Sequence, residues 1–263
     1  YDFGPARFDL ASERDRGVLN FVLSQALFGE ATGVYCGRSL YAAETLEAAQ
    51  FYVKQARQEL NHLTLFADIF RELELTPEPA HWVIRVLAAH NDYYPLKVLM
   101  EHALGEGMVL DIFRDVLLQT LPDGDPRVPA IKKKLRVICR EEEEHVAWGE
   151  RETRRLLAER PRLKRAFYGL MELQLWLVPY AVKGLKDRAP EHPVLAQLDG
   201  FVAHVQQRVW AQGRALGFAP AVRPGPAERS LAIAAGVALL FRSQFARAHS
   251  KLDKNYLKQL GFR

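Results

Sequence analysis

The chain has 263 residues, 49% of them hydrophobic, which is ample for the core of one large domain. Lys and Arg number 36 against 32 Asp and Glu, a net charge of +4 that permits an acidic partner but does not demand nucleic acid. No run reaches the ~18 apolar residues of a membrane span; the two most apolar stretches, 166–185 and 231–241, read as core helices. The two cysteines, Cys36 and Cys139, stand far apart in no metal-binding spacing, and are expected as small buried residues of a reduced, cytoplasmic protein.

Residues 1–16 carry Gly4, Pro5 and several charges and are expected to form an N-terminal arm. From Gly17 to about Tyr41 a helical stripe runs through Leu19, Leu23, Ala26, Leu27, Glu30 and Val34. Glu30 is the one acid on it. An acid in the apolar phase costs several kcal/mol unless it is paired or metal-bound. Gly29, Gly33 and Gly37 fit close helix packing, or room beside a site. A second helix, Glu44 to Leu75, places Glu59 and His62 on its apolar stripe and ends at Thr76-Pro77-Glu78-Pro79. Residues 76–95 supply a long crossover with a short helix from Ala80 to His90; His81 and His90 are read as non-ligands.

The third helix, Leu96 to Leu121, holds two competing acids. Glu106 is in phase with the stripe, whereas Glu101 lies about 140° from it on an α-helix. His102 reads as a partly exposed residue. After the turn Leu121-Pro122-Asp123-Gly124-Asp125-Pro126, the fourth helix runs from about Pro129 to Glu159 and carries Arg140-Glu141-Glu142-Glu143-Glu144-His145. Glu141 is nearly in phase, but Glu142 repeats toward His145 the i,i+3 register of Glu59 and His62. The basic residues on either side of the acids read as a solvated face, or as a docking surface for an acidic protein. Residues 161–263 are expected to add three helices, broken near Pro190–Pro193 and Pro220–Pro226, that pack on the first four or form a homodimer contact.

Residues three apart share one face of a helix, so each Glu-x-x-His pair can reach one metal. The set Glu30, Glu59, His62, Glu106, Glu142 and His145, in the order E, ExxH, E, ExxH, predicts a dinuclear metal site inside an all-α four-helix bundle spanning residues 17–160. Four carboxylates neutralise two divalent ions. Oxygen donors with imidazole suit iron or manganese.

This order resembles the ferritin-like non-haem di-iron carboxylate superfamily over roughly residues 17–157. Within it the likeness is to the cyanobacterial aldehyde-deformylating oxygenases, carried by the same glutamate and ExxH order, by His145-Val146-Ala147-Trp148-Gly149-Glu150, and by the crossover Ala88-Ala89-His90-Asn91-Asp92-Tyr93. The hundred residues at the C-terminus exceed that family's length. The arylamine N-oxygenases add a histidine one turn before the fourth-helix glutamate; Ile138 stands there in this chain. The resemblance implies a ferritin-like bundle with additional C-terminal helices, holding two Fe ions or a Mn/Fe pair on the same six residues. It implies O2-dependent oxidation of a hydrophobic small-molecule or carrier-bound substrate, with electrons from a ferredoxin-type donor. Three other readings compete: a ferroxidase or iron-storage subunit, which would assemble into a cage; a tRNA-modifying di-iron hydroxylase, which would bind RNA with steep salt dependence; and a metal-free ion-pair network.

Overall fold

A computed structural model describes residues 1–82, 85, 93–189 and 191–244, without the side chains of Tyr35, Ala181 and residues 242–244. Every regular element among the described residues is helical. The expected crossover helix and His90 lie mostly or wholly outside them.

Helix α1 (Glu13–Gly33) starts where Ser12 caps it, its hydroxyl accepting from the Asp15 N–H at 3.4 Å. That is earlier than the expected Gly17, because the cap and not the apolar stripe fixes the start. After Gly33 the chain tightens into a 3-10 segment, Val34–Tyr41, where one continuous helix was expected. Helix α2 (Leu46–Glu72) is capped by Thr45, which accepts from the Ala48 N–H at 3.0 Å. It stops where Glu74 takes a left-handed φ of 51° and the Leu75 N–H donates back to Phe70 O at 2.9 Å.

Helix α3 covers five consecutive stretches: α-helical Tyr94–Lys97, π-helical Val98–Gly105, α-helical Glu106–Asp111, π-helical Ile112–Leu117 and α-helical Leu118–Thr120. A Cβ at Gly105 would sit 2.6 Å from Met100 O, so glycine is what lets the first wide turn form. Helix α4 (Val128–Glu159) follows a turn in which the Asp125 carboxylate accepts from the Arg127 N–H and guanidinium, which holds its carboxyl down at about 2.

Four further helices follow among the described residues: α5 (Leu163–Lys186), the short α6 (Pro193–Ala196), α7 (Leu198–Ala215) and α8 (Pro226–Gln244). Of these, α5 and α7 reach α3. Gln212 of α7 donates to Ala103 O of α3 at 2.7 Å, and Arg208 pairs with Asp111 at 2.7 Å. Helix α8 lies against α5 where a Cβ at Gly169 would fall 1.8 Å from Ala232 O. The N-terminal segment is embedded in the core. Phe3 and Phe8 are buried, Phe3 against Phe201 of α7 at 5.8 Å and Phe8 stacked on His192 at 5.1 Å.

Helix α1 packs beside α2, and α4 contacts both α2 and α3. Their shared interior is apolar at one end, with Leu19, Phe66, Leu99, Phe113 and Ile138 buried. A smaller cluster of Cys36, Tyr52, Tyr94, Val98 and Trp148 lies nearer the 3-10 segment. Both cysteines are buried and free, as expected.

Candidate metal centre

Four helices send acids and histidines into one buried space. Helix α1 supplies Glu30, α2 Glu59 and His62, α3 Glu106, and α4 Glu142 and His145. None of the six is more than 8% exposed. They fall into two groups. Ligand atoms of Glu30, Glu59, His62 and Glu142 lie within 4.8 Å of one another, as do those of Glu59, Glu106 and His145.

Glu59 belongs to both groups. Its Oε2 lies 3.7 Å from His62 Nδ1 and its Oε1 lies 3.7 Å from His145 Nδ1. Glu142 divides the same way, Oε1 at 3.3 Å from His62 Nδ1 and Oε2 at 3.5 Å from His145 Nδ1. Each ExxH glutamate thus turns one oxygen toward each histidine. Glu30 serves only the first side, 2.8 Å from His62 Nδ1, and Glu106 only the second, 3.7 Å from His145 Nδ1. Two donors that each sit about 2.1 Å from one ion are on the order of 3 Å apart, close to these spacings.

The outer nitrogens are also held. His62 Nε2 lies 2.9 Å from Glu141 Oε2, and His145 Nε2 lies 2.9 Å from Gln58 Oε1. Both partners offer acceptors for an Nε2 proton, which would leave each Nδ1 to face a cation; in the metal-free protein His62 Nδ1 donates instead to the carboxylates, Glu30 Oε2 lying 2.8 Å away. Glu141, nearly in phase by sequence, therefore orients His62 from outside the inner set. Gln55 is fully buried and donates to Glu106 Oε1 at 2.6 Å. Glu142 Oε2, Glu106 Oε2 and His145 Nδ1 have no hydrogen-bond partner. They are three of several such buried atoms among the described residues, and these three belong to the ligand groups. The donor set fits a hard divalent cation on each side.

Charge makes the metal-free site unfavourable. Burial, then neighbouring carboxylates, hold Glu30 and Glu106 well above the ordinary carboxylate range, although the His62 hydrogen bond pulls Glu30 back in part. Glu142 goes the other way. Burial opposes its ionisation, but the neighbouring His145 and His62 imidazoles outweigh it and hold the carboxyl down at about 2. Burial lowers His62, and the hydrogen bonds to Glu142, Glu30 and Glu59 outweigh that and raise it.

These directions fix a pH dependence. Raised acids bind protons more tightly when folded, so stability falls as pH climbs from the unfolded value near 4.5. A raised histidine contributes fully below 6.5, and that contribution declines above it. Glu142 contributes above 4.5 and loses its contribution only as pH drops toward about 2. Metal-free protein is therefore expected to melt several degrees lower at pH 8 than at pH 5, and excess divalent metal is expected to flatten that slope in thermal melts.

The structure corrects two expectations. His102 is fully buried, not partly exposed: its Nδ1 lies 3.1 Å from Glu106 Oε1 and its ring packs edge-on to Trp148 at 5.2 Å. Glu101, placed out of phase by α-helical geometry, forms a ligand-distance group with His102 and Glu106. The π-helical stretch brings it there. Gln55 and Gln58 were not singled out by sequence; the available signal was a glutamine one turn before Glu59 on the same stripe. His81 joins none of the groups found among the described residues.

The glycines separate. Gly29 has open space around it, and Gly37 faces Ala56 at 3.9 Å. At Gly33 a Cβ would stand 2.5 Å from Glu59 Oε2. Gly33→Ala is therefore expected to fold normally while displacing the Glu59 carboxylate, weakening metal binding roughly tenfold or more in chelator competition.

Comparison with protein-family models and with curated proteins returns no match.

Proposed function

We infer that α1–α4 form a ferritin-like bundle around a dinuclear iron, or manganese–iron, centre, and that the protein is an O2-dependent oxidoreductase acting on a hydrophobic organic substrate. The observation that carries the reading is the division of Glu59 and Glu142 between two histidines, each with one further carboxylate of its own. A metal-free ion-pair network has no need of such symmetry.

Glu59 and Glu142 would serve both ions. Glu30 with His62 would complete one side, and Glu106 with His145 the other. When bound, such a metal pair supplies O2 activation. The chain's own part is to orient both imidazoles through Glu141 and Gln58, to hold Glu106 through Gln55, and to exclude bulk water. A ferredoxin-type donor would supply electrons from outside.

The test is oxygen uptake. Protein loaded anaerobically with Fe(II) and then given O2, a chemical reductant and long-chain apolar compounds is expected to consume O2 catalytically, faster with at least one such compound. Uptake that stops after one oxidation of the bound iron, whatever is added, would return the site to iron binding alone.

A further inference from the structure

Lys97 is a lysine where lysines are seldom found. It is 4% exposed, in the first turn of α3, and lysine is almost never so buried unless paired. Its partner is Glu101, one turn on, which the ammonium contacts directly. Burial pulls the Lys97 ammonium toward neutrality, but Glu101 outweighs it and leaves the pKa raised.

Glu101 lies beside the second metal group, within ligand distance of Glu106 though not in the group that contains Glu59 and His145. Between Val98 and Gly105 the helix is π-type, so residues five apart stack one above the other. The Glu106 N–H donates to Glu101 O, the i,i+5 bond that puts both carboxylates on one face. Glu101, His102 and Glu106 all lie within ligand distance. Yet the Glu101 oxygens are turned away, one to Lys97 and one toward Cys36 Sγ at 3.6 Å.

Resting on the dinuclear reading above, we propose that Lys97 is a resident cation that holds Glu101 off the metal beside Glu106 and so keeps a coordination position on that metal open. The charges support it. Four carboxylates already neutralise two divalent ions. A fifth on the metals would make the centre anionic and leave the buried ammonium uncompensated, which is costly. If the ammonium is removed, Glu101 becomes the uncompensated charge, and the metal beside Glu106 is the cation within its reach. Lys97 acts through Glu101 and is a positioning residue.

The probe is Co(II), bound in place of the native metals, with azide as an added ligand read by visible absorption. In the wild type, azide is expected to change the Co(II) spectrum. Lys97→Met is expected to bind Co(II) about tenfold more tightly, as affinity rises with ligand charge, and to lose the azide response. Lys97→Met combined with Glu101→Gln is expected to regain it. A purely structural lysine would not give that reversal. Glu101→Gln alone bears on the same point even if Lys97→Met does not fold: it should keep the azide response, although the now unpaired ammonium repels the metal. Loss of stoichiometric Co(II) in the double variant, which has no unpaired charge, would make Glu101 a resident ligand and overturn the proposal. So would an azide response in Lys97→Met equal to that of the wild type, with the dinuclear reading intact. A wild type that binds no Co(II) would remove both.

Discussion

Glu59→Ala is expected to lose both metals, whereas Glu30→Ala is expected to keep about one per chain. The difference follows from geometry. Glu59 turns one oxygen to each histidine, while Glu30 approaches only His62, at 2.8 Å. Removing Glu30 leaves His145, Glu106 and both shared carboxylates in place. Removing Glu59 leaves each side short of a donor at once. Glu142→Ala should behave like Glu59→Ala, and Glu106→Ala like Glu30→Ala. Stability should move the opposite way. Like-charge crowding raises the pKa values of Glu30 and Glu106 in the metal-free protein, after the larger contribution of burial. Taking one carboxylate away relieves it, so metal-free Glu59→Ala should melt no lower than the metal-free wild type. That separates lost binding from lost folding. Metal analysis with a thermal melt on each variant decides the matter; equal losses from Glu30→Ala and Glu59→Ala would refute the shared role.

Gly149→Ala is expected to destabilise the protein by about 3 kcal/mol or more, a large share of an ordinary domain's stability. A Cβ there would stand 2.6 Å from His102 Cβ and 2.7 Å from Ala103 N. The obstacle is backbone and Cβ, not the tip of a flexible side chain, so α3 and α4 must move apart. Helix propensity favours alanine by only about 1 kcal/mol and cannot offset that. The same shift would move His102 and Glu106 together and weaken the second metal group. Gly29→Ala is the control. Nothing lies within 4 Å of its Cβ position, so only the propensity gain remains, and the variant should be neutral or slightly more stable by denaturant unfolding.

The six inward acids and histidines were legible because regular α-helices carry most of them. On α2 and α4 the i,i+3 spacing places Glu59 with His62 and Glu142 with His145 without any tertiary information. Glu30 was legible as the one acid in the apolar phase of α1. Helix α3 was misread in part, and the cause is specific. Gly105 admits a π-helical turn, and that turn rotates Glu101 onto the face of Glu106 and carries His102 inward. An α-helical wheel has no means of showing this. Part of the second layer was hidden, because Gln58 lies off the main stripe and both Gln58 and the nearly in-phase Glu141 reach the imidazoles only across the helix–helix interface. The C-terminal helices were predicted with their breaks near the prolines, but which helix covers which required the contacts of Gly169, Arg208 and Gln212.

The most direct measurement is metal content per chain, by elemental analysis of folded, unchelated protein produced with iron and manganese both supplied. About two metals per chain are expected, as iron alone or iron with manganese. Absence of stoichiometric metal in such protein would contradict the centre and return Glu30, Glu59, His62, Glu106, Glu142 and His145 to a structural role.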